Sequence, residues 1–293
     1  MGVVNRTQAE PMHIDPLDIF NLLIPKDRGS SRIAKDLAYG PHERHRLDIY
    51  APRRANAQSL PVIVFFYGGS WESGRRQAYA FVGHALASLG YVVVVPDYRL
   101  LPEVEYPLFL DDCAAALRWV RSHSASYGGD SGRIALAGHS AGAYNAMMVA
   151  LDPGLRTKAG VGPFLKGVAG LSGPYDFFPF DGEVSRRVFG AVPDGLATQP
   201  ISHVTKQAPP LWLGTGDADR MVLPRNSDSL KRLLRAAGGQ AEVHHYAGID
   251  HAGALLALSQ PLRFRAPILR DMGVFFERVL TPSPALADDG ALQ

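Results

Sequence analysis

The pentapeptide at residues 138–142, Gly-His-Ser-Ala-Gly, constrains this chain more than any other stretch of its sequence. An apolar run at 133–137 precedes it and a run of mostly small residues at 143–151 follows it, so the order is strand, tight turn, helix. In that context Gly-x-Ser-x-Gly is typical of a nucleophile elbow, in which the two glycines let strand and helix approach closely. The pattern predicts Ser140 as a nucleophile. A glycine-rich turn with an incidental serine would give the same five residues, so other parts of the chain must decide.

The overall composition is that of a globular protein with a substantial core, since 46% of the 293 residues are hydrophobic and 20% are charged. The formal net charge is +2, without a long run of either sign, which argues against a nucleic acid or an anionic membrane surface as partner. A single cysteine, Cys113, excludes an internal disulfide and a cysteine-containing metal cluster. Cys113 falls in a helical pattern, where a small buried residue is the ordinary role.

The N-terminal region lacks the basic and apolar segments of a signal peptide. Its most apolar segment, residues 19–24, is interrupted by Asn21 and ended by Pro25. No run in the chain approaches the roughly 20 apolar residues of a membrane helix. We therefore expect no membrane partner and a cytoplasmic location. Residues 17–24 predict a short amphipathic helix that either packs against the body of the protein or roofs an active-site mouth.

Strand-like and helix-like patterns alternate along the chain, which predicts an α/β domain with a mostly parallel sheet and an antiparallel start. The predicted strands are residues 33–39, 46–50, 60–67, 91–96, 133–137, 167–171, 211–216 and 242–246. The predicted helices after the first are residues 79–89, 111–124, 143–151, 224–237 and 265–279. We expect one domain over 1–280, with an N-terminal helical segment at 1–30 and a disordered tail at 281–293. An exposed edge strand would allow two copies to pair as a homodimer.

Residues 172–210 fit this alternation poorly and are rich in aromatic residues, proline and glycine. Two interpretations stay open: a lid-like insertion that forms a wall of the acyl pocket, or ordinary packing of a long loop. On the first interpretation the substrate-binding side chains include Tyr175, Phe177 and Phe178, together with Trp71 from an earlier loop.

A serine nucleophile needs donors for the oxyanion that forms when it attacks a carbonyl group. Residues 67–71, Tyr-Gly-Gly-Ser-Trp, follow an early buried strand, where glycines allow backbone N–H groups to turn inward. We assign the oxyanion hole to the N–H groups of Gly69, Ser70 and Ala141. A βα turn that merely requires glycine is the plainer alternative.

The serine also needs a base and an acid that orients the base. Asp217 and Asp219 follow the strand at 211–216, and the Asp-x-x-Val spacing before a helix favours Asp219, which leaves Asp217 to brace the loop. His251 follows the last strand in what reads as a flexible loop, and we assign it as the base. His139 is expected to point away from Ser140.

The other histidines have plainer interpretations. Neighbouring strand residues point to opposite faces, so His244 and His245 could not chelate a metal ion together with His251, and we predict no metal site. A Gly-x-Gly-x-x-Gly turn and a Gly-Lys-Ser/Thr loop are both missing, so we expect no nucleotide cofactor. Four others are assigned to surface or helix positions: His42, His45, His84 and His123.

Several motifs in this order resemble the α/β-hydrolase superfamily, and within it the carboxylesterases related to hormone-sensitive lipase, the kynurenine formamidases and feruloyl-esterase-like proteins. They are the Tyr-Gly-Gly-Ser-Trp loop at 67–71, Asp-Tyr-Arg-Leu at 97–100, the elbow, Ser-Gly-Pro-Tyr-Asp at 172–176 and the Asp219–His251 pair. The resemblance implies the α/β-hydrolase fold, catalysis by Ser140, Asp219 and His251, and a bracing role for residues 97–99. The usual histidine of the oxyanion loop is Tyr67 here, so its hydroxyl must replace the hydrogen bonds of that histidine. A third glycine of the loop is Ser70.

Together these features predict a serine hydrolase that cleaves small carboxylic esters of short to medium acyl length with water and without a cofactor. An arylformamidase acting on N-formylkynurenine-type amides would use the same residues. An alternative of another class is a catalytically silent hydrolase fold that serves as a receptor or scaffold. Such a protein would be expected to lose its nucleophile or its base, and this chain retains both.

Overall fold

The computed structural model describes residues 16–54 and 59–281. In these residues strands and helices alternate as the sequence predicts. The strands are β1 (Ser30–Ala38), β2 (Arg46–Pro52), β3 (Leu60–Phe66), β4 (Val92–Pro96), β5 (Gly129–His139), β6 (Leu165–Leu171), β7 (Leu211–Gly216) and β8 (Ala241–Tyr246). The helices are α1 (Pro16–Leu23), α2 (Ala80–Ala87), α3 (Leu108–His123), α4 (Ala141–Leu151), α5 (Pro153–Ala159), α6 (Glu183–Phe189), α7 (Arg225–Ala236), α8 (His251–Leu256) and α9 (Ile268–Leu280).

The strands form an eight-stranded sheet in the order β1-β2-β4-β3-β5-β6-β7-β8. β2 pairs antiparallel with β1 and with β4, and every other neighbouring pair is parallel. The prediction of a mostly parallel sheet with an antiparallel start is confirmed. Because parallel strands end at the same edge, the loops after β3, β5, β7 and β8 come together there.

The core is densest around the elbow. β3 and β4 are runs of β-branched and aromatic residues, and the residues of both strands from Val62 onward are buried, as expected for strands covered on both faces. All eleven residues of α4 are buried as well. Five of them are alanine or glycine, so this helix can lie close to β5 and β6. Dense packing on both sides holds the β5–α4 turn in one position.

The structure adds three short helices that the sequence did not predict: α5, α6 and α8. The last corrects one assignment, because His251 is the first residue of α8 and does not lie in a flexible loop. Asp250 caps this helix, accepting a hydrogen bond of 2.7 Å from the N–H of Gly253. Six residues are too few to show a helical period, so the sequence pattern does not predict this helix.

Helix α1 is anchored to the body of the protein. The Phe20 ring packs edge-on against Phe81 at 5.5 Å, and the Asn21 side chain bonds the backbone of Phe81 and Gln77 at 3.1 and 2.9 Å. Asp18 pairs with Arg75 at 2.8 Å. Residues 1–15 of the predicted N-terminal segment, and 282–293 of the predicted tail, lie outside the described residues. Across the two described ranges, no helix has the length and apolar character needed to span a bilayer.

Candidate active site

Ser140 lies in the turn between β5 and α4 with φ 56° and ψ −126°, a conformation that residues other than glycine rarely adopt. Its N–H donates to the carbonyl of Leu171 at 2.9 Å, which holds the turn against β6. A Cβ atom at Gly138 would overlap the backbone of Gly142, and one at Gly142 would overlap the carbonyl of Phe66. The predicted reason for the two glycines, close approach of strand and helix, is confirmed.

The three residues predicted as nucleophile, base and acid lie in one hydrogen-bonded chain. The Oγ atom of Ser140 is 2.9 Å from Nε2 of His251, and Nδ1 of His251 is 2.8 Å from Oδ2 of Asp219. They come from the β5–α4 turn, the start of α8 and the loop after β7. Ser140 is 7% exposed and Asp219 is 2% exposed, so little water competes for these hydrogen bonds.

The second carboxylate oxygen of Asp219 accepts the N–H groups of Met221 and Val222 at 3.0 and 2.8 Å. Burial by itself would raise the pKa of Asp219, but the hydrogen bonds from His251 and from these two N–H groups outweigh it and lower the pKa. The carboxylate is therefore ionised at neutral pH. Asp217 instead bonds the exposed ring of His245 at 2.9 Å, which agrees with the loop-bracing role predicted for it.

The loop after β3 presents backbone donors beside Ser140. Gly69 has φ 120°, and Ser70 has φ 55° although it is not glycine. The carbonyl of Gly69 accepts the N–H groups of Glu72 and Ser73, which closes the loop. Within the described residues the N–H groups of Gly69 and Ser70 donate to no other group, and both residues line the cavity next to Ser140. Ala141 begins α4, where an N–H group has no acceptor within the helix.

The side chain of Tyr67, directly before this loop, supports it through ring stacking and a hydrogen bond. Its ring stacks between Tyr79 and Tyr98, with centroids 5.2 and 4.9 Å away, and its hydroxyl accepts a hydrogen bond of 2.8 Å from Arg44. Arg44 also donates to the carbonyls of Tyr98 and Gly74 at 2.8 and 2.9 Å, and so connects the ring to the end of the loop. The sequence indicated that the Tyr67 hydroxyl must find new partners, but it did not single out Arg44.

A cavity of about 590 Å³ opens beside Ser140, within the range of small-molecule sites. Its lining is mostly apolar, and no lysine, arginine or carboxylate side chain of the described residues belongs to it. It consists of Pro16, Leu17, Phe20, Gly69, Ser70, Ser73, Tyr79, His139, Ser140, Met221, His251, Ala252, Leu255 and Leu256. Helix α1 thus both packs against the body and roofs the cavity, so the two roles considered for it are combined.

The four residues predicted to bind substrate lie elsewhere: Trp71, Tyr175, Phe177 and Phe178 are not part of the cavity lining. Trp71 is buried, donates to Asn145 at 3.0 Å and packs edge-on against other rings. Phe177 belongs to the same aromatic cluster, Tyr175 is fully buried, and Phe178 packs on Phe180.

No residue from 172–210 lines the cavity, whereas residues of α1 and α8 do. Ordinary packing accounts for most of the aromatic rings of this interval, so we correct the expectation that they form the acyl-pocket wall.

Two histidines differ from their predicted positions. The ring of His139 lines the cavity beside Ser140 and lies 4.8 Å from the ring of His251, which corrects the prediction that it points away from Ser140. His45 is only 8% exposed and faces Asp112 at 3.0 Å, so it is not a surface residue.

Across residues 16–54 and 59–281, no three His, Cys, Asp or Glu side chains are grouped as metal ligands.

The sequence of this chain matches a known protein family. The sequence model of the BD-FAE family matches residues 47–234, which is more than half of the chain. The matched part contains Gly69, Ser70, Ser140 and Asp219. The chain belongs to the BD-FAE family. His251 lies beyond the matched region, and the structure brings it back to Ser140.

Curated relatives of this BD-FAE chain include esterases. Esterase LipQ of Mycobacterium tuberculosis is 32% identical over 266 residues, which cover 83% of this chain and 62% of LipQ. A probable isoprenylcysteine alpha-carbonyl methylesterase, ICMEL2 of Arabidopsis thaliana, is 28% identical over 80% of this chain and 60% of that protein. The chain thus spans about 60% of the length of these relatives.

Solved structures with the same fold include further esterases. A truncated carbohydrate esterase from gut microbiota has a TM-score of 0.77 and 25% identity, with 88% of this chain and 100% of that chain covered. A variant of esterase rPPE has a TM-score of 0.75 and 25% identity over 91% of this chain and 89% of that one. The predicted α/β-hydrolase fold is therefore confirmed for this BD-FAE protein.

Proposed function

We propose that this protein is a serine hydrolase that cleaves uncharged carboxylic esters of short to medium acyl length. The observation that carries the proposal is the hydrogen-bonded chain from Ser140 through His251 to Asp219, placed at an apolar cavity. The esterase names of several relatives point to the same reaction. A silent receptor or scaffold would have no reason to keep a nucleophile, a base and a buried acid in line.

In the first half of the proposed reaction, Oγ of Ser140 attacks the carbonyl carbon of the ester while Nε2 of His251 takes the hydroxyl proton. The ionised Asp219 accepts the Nδ1–H of His251 and stabilises the imidazolium that forms. The N–H groups of Gly69, Ser70 and Ala141 receive the oxyanion. His251 then returns the proton to the leaving alcohol oxygen as the C–O bond breaks, which leaves an acyl group on Ser140.

In the second half, water attacks the acyl carbon and gives a proton to His251. The same oxyanion donors stabilise the second tetrahedral intermediate. Its collapse breaks the bond to Oγ of Ser140, and His251 returns the proton to that oxygen. The carboxylic acid leaves, the enzyme is restored, and no step calls for a cofactor.

The cavity lining argues for an uncharged, apolar group next to the reacting carbonyl. Leu17 and Phe20 from α1 and Leu255 and Leu256 from α8 all line the cavity, and among the described residues no lining cation could pair with an acidic substrate. The isoprenylcysteine alpha-carbonyl methylesterases among the relatives are named for an ester with a large apolar substituent. An isoprenylcysteine methyl ester is therefore a second candidate substrate for the same residues.

The test is hydrolysis of p-nitrophenyl esters of increasing acyl length by the wild type and by Ser140→Ala. We expect the wild type to hydrolyse these esters and Ser140→Ala to have no activity. The thermal unfolding of the two proteins should be the same. Ser122→Ala is a matched control, because this serine is exposed on α3 and bonds only the carbonyl of Arg118. Activity that survives in Ser140→Ala would refute the proposal. N-formylkynurenine and an isoprenylcysteine methyl ester are then offered as competitors of the p-nitrophenyl ester. The compound that inhibits its hydrolysis more strongly shows whether the site prefers a formamide or a prenylated substrate.

A further inference from the structure

His139 is a buried titratable side chain for which the proposed reaction has no direct use. It is the last residue of β5, directly before Ser140, and only 4% exposed. Its Nε2 atom lies 3.2 Å from the backbone carbonyl oxygen of His251. Because a carbonyl oxygen only accepts, Nε2 must carry the proton of this hydrogen bond. The other ring nitrogen, Nδ1, is buried without a partner in the described part of the chain.

The ring of His139 also fills the space between the oxyanion loop and the base. A Cβ atom at Gly68 would stand 3.2 Å from Nδ1 of His139 and 3.0 Å from Cβ of Ser140. On the other side the centroid of the His139 ring is 4.8 Å from that of His251, with the planes at 44°. One side chain thus contacts the base, and it lies against the loop that presents the donors.

We propose that His139 is a positioning residue for His251: its Nε2–H fixes the backbone carbonyl of the base, and its ring supports the imidazole of the base. The inference rests on the proposed function, because positioning has a catalytic meaning only if His251 is the base. His139 itself transfers no proton to or from substrate.

The protonation state of His139 agrees with this role. Burial and the neighbouring His251 lower the pKa of His139 to about 3, while the hydrogen bond to the His251 carbonyl and the charge of Asp219 act in the opposite direction. The ring is therefore neutral wherever a histidine base can work. A cationic ring at this distance would oppose the imidazolium that forms on His251 during each proton transfer.

The first experiment compares His139→Gln, which retains a side-chain N–H donor, with His139→Leu, which retains bulk and loses the donor. A net hydrogen bond to a positioned group corresponds to roughly a three- to tenfold effect. We expect His139→Leu to lower kcat for p-nitrophenyl acetate by that factor with KM within about twofold, and His139→Gln to recover most of it. Equal kcat in His139→Leu and the wild type would overturn the proposal, as would an equal loss in both variants at unchanged thermal stability.

The second experiment needs neither a variant nor activity. Nitrogen-15 NMR of histidine-labelled wild-type protein should show His139 as a neutral ring with its proton on Nε2 throughout the range between about pH 5 and pH 8. A His139 ring that titrates in this range, or that carries its proton on Nδ1, would overturn the proposal. Absence of ester hydrolysis by the wild type would instead count against the proposed function.

Discussion

Asp219→Asn is the substitution whose effect the geometry determines most closely. In the wild type, Oδ1 of Asp219 accepts two backbone N–H groups and Oδ2 accepts Nδ1–H of His251 at 2.8 Å. An asparagine must place its oxygen toward the two N–H donors, because its NH2 group would clash with them. The NH2 group then faces Nδ1 of His251, which becomes an acceptor and moves the ring proton to Nε2. His251 can no longer take the proton of Ser140.

This wrong tautomer, together with the lost negative charge, should lower kcat by about 10³- to 10⁴-fold. That factor corresponds to about 4–5.5 kcal/mol of transition-state stabilisation. The assay is kcat/KM for p-nitrophenyl acetate, with circular dichroism as a check of folding. Asp217→Asn is the matched control in the same loop, because its side chain is 49% exposed and bonds His245. More than a tenth of wild-type activity in Asp219→Asn, or an equal loss in Asp217→Asn, would refute the reasoning.

Three further predictions concern packing, specificity and pH. Gly142→Ala forces a methyl group into backbone atoms and should destabilise the protein by ~2 kcal/mol or more in chemical denaturation, whereas Gly162→Ala, which has open space, should be nearly neutral. Leu17→Ala enlarges the cavity and should shift the ester panel toward longer acyl chains, whereas Leu22→Ala, whose side chain is 81% exposed, should not. Hydrogen bonds to two aspartates outweigh burial and raise the pKa of His245 above 6.5, so this ring stabilises the fold at low pH and loses that effect as pH rises. The stability difference between wild type and His245→Gln should shrink as the pH rises above about 6.5, and a difference that stays constant would contradict this effect of the two aspartates.

Much of the fold was predictable because its signals are local. β3 and β4 are unbroken apolar runs, and the elbow needs two glycines at a fixed spacing around Ser140. The short helices had no such signal. Six residues in α8 depend on the Asp250 cap and on packing, so the position of His251 at a helix start could not be predicted from a period.

The residues that carry the chemistry of the site could be predicted from the sequence. The residues that line its cavity could not. Ser140, Asp219 and His251 each follow a strand in a recognisable order. The contacts of His139 with His251 and of Arg44 with Tyr67 join residues 112 and 23 positions apart, and only the folded chain brings them together. Aromatic content suggested residues 172–210 as the pocket wall, yet burial inside the protein explains most of those rings equally well.

The central claim is that Ser140 is a nucleophile activated by His251. It is tested most directly by treating the protein with a fluorophosphonate and mapping the covalent adduct by peptide mass spectrometry. We expect a single adduct on the peptide that contains Ser140, absent in Ser140→Ala and formed at least ~100-fold more slowly in His251→Ala. An unlabelled wild type, or an adduct on another serine, would contradict the claim.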